Sequence, residues 1–343
     1  MRRASVRLVD VAAHAGVSLA TASRVLNGGK RHSARPEMRE RVLAAAEQLG
    51  YEPNHHARAL AGSASTTIGL VVHDIRDAYF SLIAGAVVRA AEQHGLFVTI
   101  VNTYRDVDQE ARYIRLLRAQ RPRALILSAS GFVSKRSAEP IATEARRFEE
   151  AGGVVVSIGH HGVGHAIDVG NFDGARRLAH WLASLGHRRF AVVTGQRRLI
   201  TVRDRVEGFR AGLAERGISL ADREVHYGDT TRAWGQQVAR ELAARQRPPT
   251  CVFGTFDMIA AGVVRGFQEY GLQVPADVSV AGFADVPPAA DLTPAVTTVR
   301  LPLDLVGQQA VELAMRDEPG GRRTISFEGS IIERASTGPA PMH

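Results

Sequence analysis

The sequence predicts a small all-α headpiece joined to an α/β core of two doubly wound, parallel-sheet lobes. Three observations carry this expectation. The first 50 residues hold three helical stretches and no strand-like run. From Thr67 onward, apolar runs of strand length alternate with amphipathic helical segments, the pattern of parallel sheets covered on both faces. These strand–helix steps are too many for one ordinary open sheet. Two sheets with a cleft between them accommodate the steps, and a (β/α)₈ barrel is the alternative arrangement.

The chain has 343 residues, of which 45% are apolar and 23% charged, which suits two or three folded domains and excludes wholesale disorder. The formal net charge is +8. Its distribution is uneven: residues 1–62 carry ten Lys/Arg against five Asp/Glu, so +5 of the excess lies at the N-terminal end. A polyanionic partner would meet the chain there. The single cysteine, Cys251, permits no intramolecular disulfide and fits a reducing compartment. No apolar run reaches the roughly 18 residues of a membrane span. Arg7, Asp10 and His14 interrupt any secretory apolar region, so a soluble, cytoplasmic protein is expected.

In the headpiece, 8–15 (LVDVAAHA) and 19–26 (LATASRVL) read as short helices joined by Gly16-Val17-Ser18. Ser18 suits the N-cap of the second, because its hydroxyl can accept from the free amides of the next turn. A third helix fits 36–49, with Pro36 in its first turn, Val42, Leu43, Ala46 and Leu49 on one face, and Gly50 as its stop. This is a helix-turn-helix arrangement. On the second helix, Ala22, Val25 and Leu26 face Val11, Ala12 and Val17, while Leu19, Ala20, Ser23, Arg24 and Asn27 point away. Arg24 could pair bidentately with guanine O6 and N7 in a major groove. Ser18, Thr21 and the helix N-terminus could hold phosphates. An ordinary amphipathic hairpin with a solvated polar face fits the same spacing.

In the core, strands are expected near 67–72, 96–101, 124–128, 153–158, 190–195, 224–227, 250–254 and 278–283. Helices are expected at 79–94, 108–118, 141–151, 173–185, 203–216, 234–245 and 257–270.

The stretch "LVDVAAHAGVSLATASRVLNG" resembles, nearly position for position, the N-terminal signature of the lactose/galactose repressor (LacI/GalR) family of bacterial transcription regulators. Its pattern is D-V-A-x-x-A-G-V-S-x-x-T-x-S-R-V-L-N. The likeness continues through "RPEMRERVLAAAEQLGYEPNHHARAL", "TIGLVV", "GHRRFAVVTG", "VEGFRAGLAERG", "DVSVAGF", "TPAVTTVRLP" and "IIERAST". The resemblance implies a repressor that binds a pseudo-palindromic operator in double-stranded DNA as a homodimer, its affinity controlled by a small-molecule effector in the interlobe cleft. It implies a periplasmic-binding-protein-like core, no cofactor, no metal and no membrane.

Carried over by motif position, Leu19, Ala20 and Arg24 face bases, and Ser18, Thr21, Ser23 and Asn27 hold the backbone. Asn54, Ala57 and Leu60 belong to a hinge helix that enters the minor groove, Leu60 acting as a wedge that unstacks a central step. The expected division is 1–52 headpiece, 53–65 hinge helix and linker, 66–338 core and 339–343 tail. The N-lobe takes about 66–168 and 300–324, the C-lobe about 169–299 and 325–338. Without heptads after "IIERAST", a dimer rather than a tetramer is expected.

For the effector, the resemblance points to Tyr79 and Phe80 as a ring-stacking pair and to Arg205, with Thr201 nearby, as the group that grips hydroxyls or a carboxylate. His160, Phe256 and Asp257 follow strands at the cleft. Several positions depart from the sugar-binding pattern: "GFAD" places Ala284 where the first of two carboxylates is usual, and Phe256 replaces an amide. Thr230 stands where an aromatic is expected, with Trp234 four residues on. Fewer acceptors and more ring surface suggest a ligand less hydroxyl-rich than a free sugar: aromatic, anionic or nucleoside-like.

Two other classes compete. An α/β enzyme is disfavoured because no G-x-G-x-x-G, P-loop or G-x-S-x-G occurs. The histidines of "HHGVGH" lack a carboxylate before Asp168 that would complete a metal site. A solute-binding protein would suit the core alone, but not the basic headpiece.

Overall fold

The computed structural model describes residues 6–26, 35–51, 65–316 and 321–341. The chain divides into two compact units, Met1–Thr66 and Thr67–His343.

The first unit contains α1 (Leu8–Ala15), α2 (Leu19–Leu26) and α3 (Pro36–Leu49). Its core is small-residue packing: Val11, Ala12, Ala15, Ala22, Val42, Ala45 and Ala46 are buried together. Short side chains at the crossings let the helices approach closely. Leu43, expected on the buried face of α3, is 44% exposed. Val42, Ala45, Ala46 and Leu49 follow the i, i+3, i+4, i+7 stripe, and Leu43 lies one step off it. The caps are built from both ends of the motif. Asp10 accepts from the Arg7 backbone N–H at 2.8 Å, one half of a capping box, while the Arg7 side chain makes no cap bond. Gly16 closes α1 in the left-handed region at φ 62°, and Arg41 of α3 donates to the Ala15 carbonyl at 2.5 Å.

The second unit holds two parallel sheets, which excludes the barrel. The N-lobe contains β1 (Thr67–Val72), β2 (Phe97–Asn102), β3 (Ala124–Leu127), β4 (Val154–Ile158), β5 (His165–Asp168) and a late strand β11 (Thr324–Ser326), in the order β11-β5-β4-β3-β1-β2. Its helices are α4 (Ala78–Gln93), α5 (Val107–Ala119), α6 (Lys135–Glu150) and α11 (Leu303–Ala314). The C-lobe sheet runs β7-β6-β8-β9, from β6 (Phe190–Thr194), β7 (Val225–Tyr227), β8 (Cys251–Gly254) and β9 (Ser279–Ala281). Around it lie α7 (Asn171–Ser184), α8 (Ile200–Ala214), α9 (Arg232–Ala243) and α10 (Asp257–Glu269). A short antiparallel pair, β10 (Thr298–Arg300) and β12 (Ser330–Ile332), completes the elements.

Three differences from the sequence reading have physical reasons. The N-lobe sheet extends to Ser326, two residues past the expected division, because β11 pairs with β5 from Thr324↔Ala166 to Ser326↔Asp168. Helix α6 starts at Lys135 rather than 141 and runs through Pro140. A proline forfeits only its own N–H and its i−4 contact, and Pro140 lies in the second turn, after Ser137 and Ala138 have bonded to the Ser134 carbonyl. The strands β5, β10, β11 and β12 have three or four residues each, too few for a period to show.

Helices α9 and α10 pack through glycines: a methyl at Gly262 would overlap the Arg232 carbonyl, and one at Gly235 the Ile259 carbonyl. Gly262→Ala is therefore expected to push the pair apart and destabilise the core by about 1–3 kcal/mol, read as a lower urea midpoint with an unchanged slope.

Glu110 on α5 is fully buried, and among the described residues neither carboxylate oxygen has a hydrogen-bond partner. Burial pushes its carboxyl up from 4.5 to about 8. The folded chain thus keeps a proton that the unfolded chain releases. Stability is expected to fall as pH rises from about 4.5 to about 8 and to level off above. Glu110→Gln should flatten this slope in urea unfolding measured across that window.

Candidate functional site

In the first unit, the N-terminus of α2 is organised by Ser18. Its Oγ accepts from the Thr21 N–H at 3.2 Å and lies 2.9 Å from Thr21 Oγ1. Ala22 is fully buried, Thr21, Ser23, Val25 and Leu26 are half-buried, and Leu19, Ala20 and Arg24 are exposed. Leu19 is 51% exposed, an apolar side chain set beside a charged one on a solvent-facing helix. Arg24 Nε donates to the Ala20 carbonyl at 3.3 Å, so the guanidinium lies along its own helix. Asn27 and the hinge positions Asn54, Ala57 and Leu60 lie outside the described residues.

In the second unit, a cavity opens between the lobes with about 520 Å³ of empty space, counting its mouth. Tyr79, Phe80, Thr201, Arg205 and Phe256, all expected on sequence grounds, line it. Asp77 caps α4 by accepting from the Tyr79 N–H at 3.1 Å, which sets Tyr79 and Phe80 at the helix start. The two rings meet edge to face, centroids 5.1 Å apart. Burial pushes the Tyr79 hydroxyl up to about 12.

Arg205 is 1% exposed. Its Nε donates to Asn171 Oδ1 at 2.9 Å and its Nη1 to the Thr255 carbonyl at 2.6 Å. Its guanidinium carbon lies 4.2 Å from the Phe283 ring centroid and 4.8 Å from that of Phe256. Burial lowers its pKa to about 10, with Tyr79, Asp257 and Asp77 opposing the shift. It stays charged at neutral pH, in a wall that supplies neutral acceptors and aromatic faces.

The lobes meet beside the cavity. Ser130 Oγ donates to Thr201 Oγ1 at 2.9 Å, the Ile200 N–H to the Gly131 carbonyl at 2.9 Å, and the Val133 N–H to the Arg198 carbonyl at 2.9 Å. Thr201 thus joins the lobes as well as lining the space.

Two expected residues lie elsewhere. His160 lines a separate hollow with Phe132, Ile141 and Ile200, because the chain turns away at Gly159 (φ 90°) directly after β4. Asp257 is buried at the start of α10, where it accepts from Thr298 Oγ1 at 2.6 Å and from the Val286 N–H at 2.9 Å. These bonds tie α10 to β10 and to the loop after β9, outside the cavity lining, and burial pushes the carboxyl up to about 6. The departures found in the sequence also resolve. Ala284 is buried, and Asp285 is held by Arg300 at 2.6 Å and Arg334 at 2.7 Å. Trp234 turns its Nε1–H to the Thr194 carbonyl at 3.1 Å.

The cavity also recruits His73, Asp77, Arg105, Ser130 and Asn171, which the sequence reading did not single out. His73 accepts from the Ser130 N–H at Nε2 (2.9 Å), which leaves Nδ1 to donate to Thr103 Oγ1 (3.1 Å). Burial holds it neutral, well below its ordinary pKa. Asp77 stands two residues before the recognised Tyr79-Phe80, and its capping position was a usable signal. Arg105 and Asn171 carry no local pattern.

Known proteins share both units. Residues 7–54 match the family described as bacterial regulatory proteins, lacI family, and residues 179–337 match the periplasmic binding protein-like domain. The chain is 34% identical over 335 residues to the HTH-type transcriptional regulator GalS of Salmonella typhimurium, covering 96% of each. It is 29% identical over 340 residues to the HTH-type transcriptional repressor PurR of Escherichia fergusonii, covering 97% of each. A solved structure of the lac repressor dimer bound to operator and the anti-inducer ONPF superposes with a TM-score of 0.83 at 27% identity, over 98% of this chain and 100% of that one. A capped, solvent-facing second helix, a two-lobed core with an interlobe cavity and full-length similarity to regulators together place the chain in the LacI family of bacterial regulatory proteins, as a DNA-binding transcription regulator and not an enzyme.

Proposed function

We propose that two copies of the chain repress transcription by holding a pseudo-palindromic operator, with Leu19, Ala20 and Arg24 facing bases and Ser18, Thr21, Ser23 and Asn27 on the backbone. The observation that carries this is the exposed face of α2, where one guanidinium stands among small and apolar groups behind a hydroxyl-capped N-terminus. Such a face enters a groove without obstruction and offers one strong hydrogen-bonding reader. Asn54, Ala57 and Leu60 form the second contact, in the minor groove. A regulator of this kind works in the bacterial cytoplasm, where the DNA is, and among the described residues no helix is long and apolar enough to cross a membrane.

The effector occupies the interlobe cavity, against Tyr79, Phe80, Thr201, Arg205 and Phe256. It shifts operator affinity by favouring one lobe arrangement over another. Asp77 is the single carboxylate among the lining residues, and Tyr79, Phe80 and Phe256 add ring surface, which supports a ligand poorer in hydroxyls than a free sugar. Calorimetry with glucose, galactose, lactose and cellobiose is expected to show no tight binding. Tight binding of any of them would overturn this assignment. Sedimentation with and without operator DNA tests the dimer, and a monomer on the DNA would contradict it.

A further inference from the structure

We propose that Arg105 binds an anionic group of the effector, which makes the effector a small acid and not a neutral polyol. The inference rests on the reading of the interlobe cavity as the effector site.

Arg105 lies in the loop between β2 and α5, with its side chain 17% exposed and lining the cavity. Its guanidinium donates no hydrogen bond to any described residue. Nε is buried without a partner, and the nearest carboxylate, Asp77, is 3.7 Å from Nη2, beyond hydrogen-bond length. A charge this enclosed is costly unless something hydrogen-bonds to it. Asp77 balances the charge through its second oxygen, Oδ2, while Oδ1 caps α4, but at 3.7 Å it leaves the guanidinium without a hydrogen bond from that side.

The backbone holds the arginine there under strain. Tyr104 and Arg105 are consecutive non-glycine residues in the left-handed region, at φ 51° and 61°. The Tyr104 N–H donates to the His73 carbonyl at 2.8 Å, and the Asp106 N–H to the Thr103 carbonyl at 2.9 Å. Strain of this kind gathers where a side chain must be held ready for a ligand. The charges of the lining agree: Arg105 from the N-lobe and Arg205 from the C-lobe face one carboxylate, Asp77, beside a neutral His73. Counted over the lining alone one positive charge is left over, with Asp74 and Asp229 acting on Arg105 from outside it. A carboxylate or phosphate ester would satisfy it with charge-assisted bonds. The same loop is tied to the other lobe, because the Arg105 carbonyl accepts from Arg198 Nη2 at 3.0 Å.

The test is calorimetry on the full chain at constant ionic strength with three matched pairs: galacturonate and galactose, glucose 6-phosphate and glucose, benzoate and benzyl alcohol. At least one acid is expected to bind, its neutral partner at least roughly tenfold more weakly. The pair that responds separates carboxylate from phosphate. Arg105→Gln should weaken the acid roughly ten- to hundredfold and the neutral partner much less, with Arg105→Lys recovering part of the loss. Thermal melts of both variants identify any that misfold, in which case the acid–neutral comparison in the unaltered chain decides. The inference is overturned if no acid binds, if acid and neutral partner bind equally, or if Arg105→Gln keeps the acid's affinity. Operator binding by the same preparation is read in parallel. Its loss counts against the repressor reading, and its retention without acid binding counts against this inference alone.

Discussion

Replacing Arg24 by alanine is expected to weaken the operator complex by about 1–3 kcal/mol per half-site, about 2–6 kcal/mol for a dimer, and to relax the choice of one base pair in each half. The size follows from what else the exposed face of α2 offers. Leu19 and Ala20 have no polar side-chain atom, so they can sense a thymine methyl or exclude bulk but cannot form a bidentate pair. Among the described residues Arg24 bonds only to the Ala20 carbonyl of its own helix, at 3.3 Å, a contact weak enough to exchange for a base edge. Binding to a library of operator variants separates the two roles of an arginine. A loss confined to one position marks a base reader. An equal loss across all sequences, with a shallower salt dependence, would show that Arg24 holds only phosphate.

Arg205→Met is expected to abolish most of the effector response, raising the half-effective concentration roughly tenfold or more. It is also expected to lower core stability by about 1–3 kcal/mol, because Asn171 Oδ1 and the Thr255 carbonyl lose their donor inside the protein. Methionine fills the slot between Phe256 and Phe283, so the cost is in hydrogen bonds and not in a cavity. Arg205→Lys should not restore the response, since an ammonium cannot span two acceptors with a planar fork. Effector titration of the operator complex, paired with urea unfolding, reads both effects. An unchanged titration would remove Arg205 from the effector site.

The elements of the core were legible because parallel strands buried on both faces are continuous apolar runs. "TIGLVV", "ALIL" and "TCVFG" stand out from the amphipathic helices between them. The headpiece was legible because its crossing helices demand small residues at fixed spacing, and Ala12 and Ala22 obey it. The cavity was legible only in part. Arg205, Tyr79, Phe80, Thr201 and Phe256 come together as expected. Asp257, expected at the cleft, bonds instead to Thr298 and Val286, and a helix-start carboxylate looks the same in sequence in either setting. Arg105 carries no sequence signal for a related reason. An arginine becomes a cavity residue only through the left-handed turn at Tyr104-Arg105, and neither residue type announces such a turn.

Operator recognition by a paired headpiece is the centre of the account, and footprinting of the full chain on the DNA flanking its own gene tests it most directly. The expected result is a protected pseudo-palindrome of roughly 14–20 base pairs with a flexible CG step at its middle, lost at matched concentration with Arg24→Ala and shifted in affinity by a small acid. Absence of specific protection under every condition, or protection of an asymmetric site by a single chain, would contradict it.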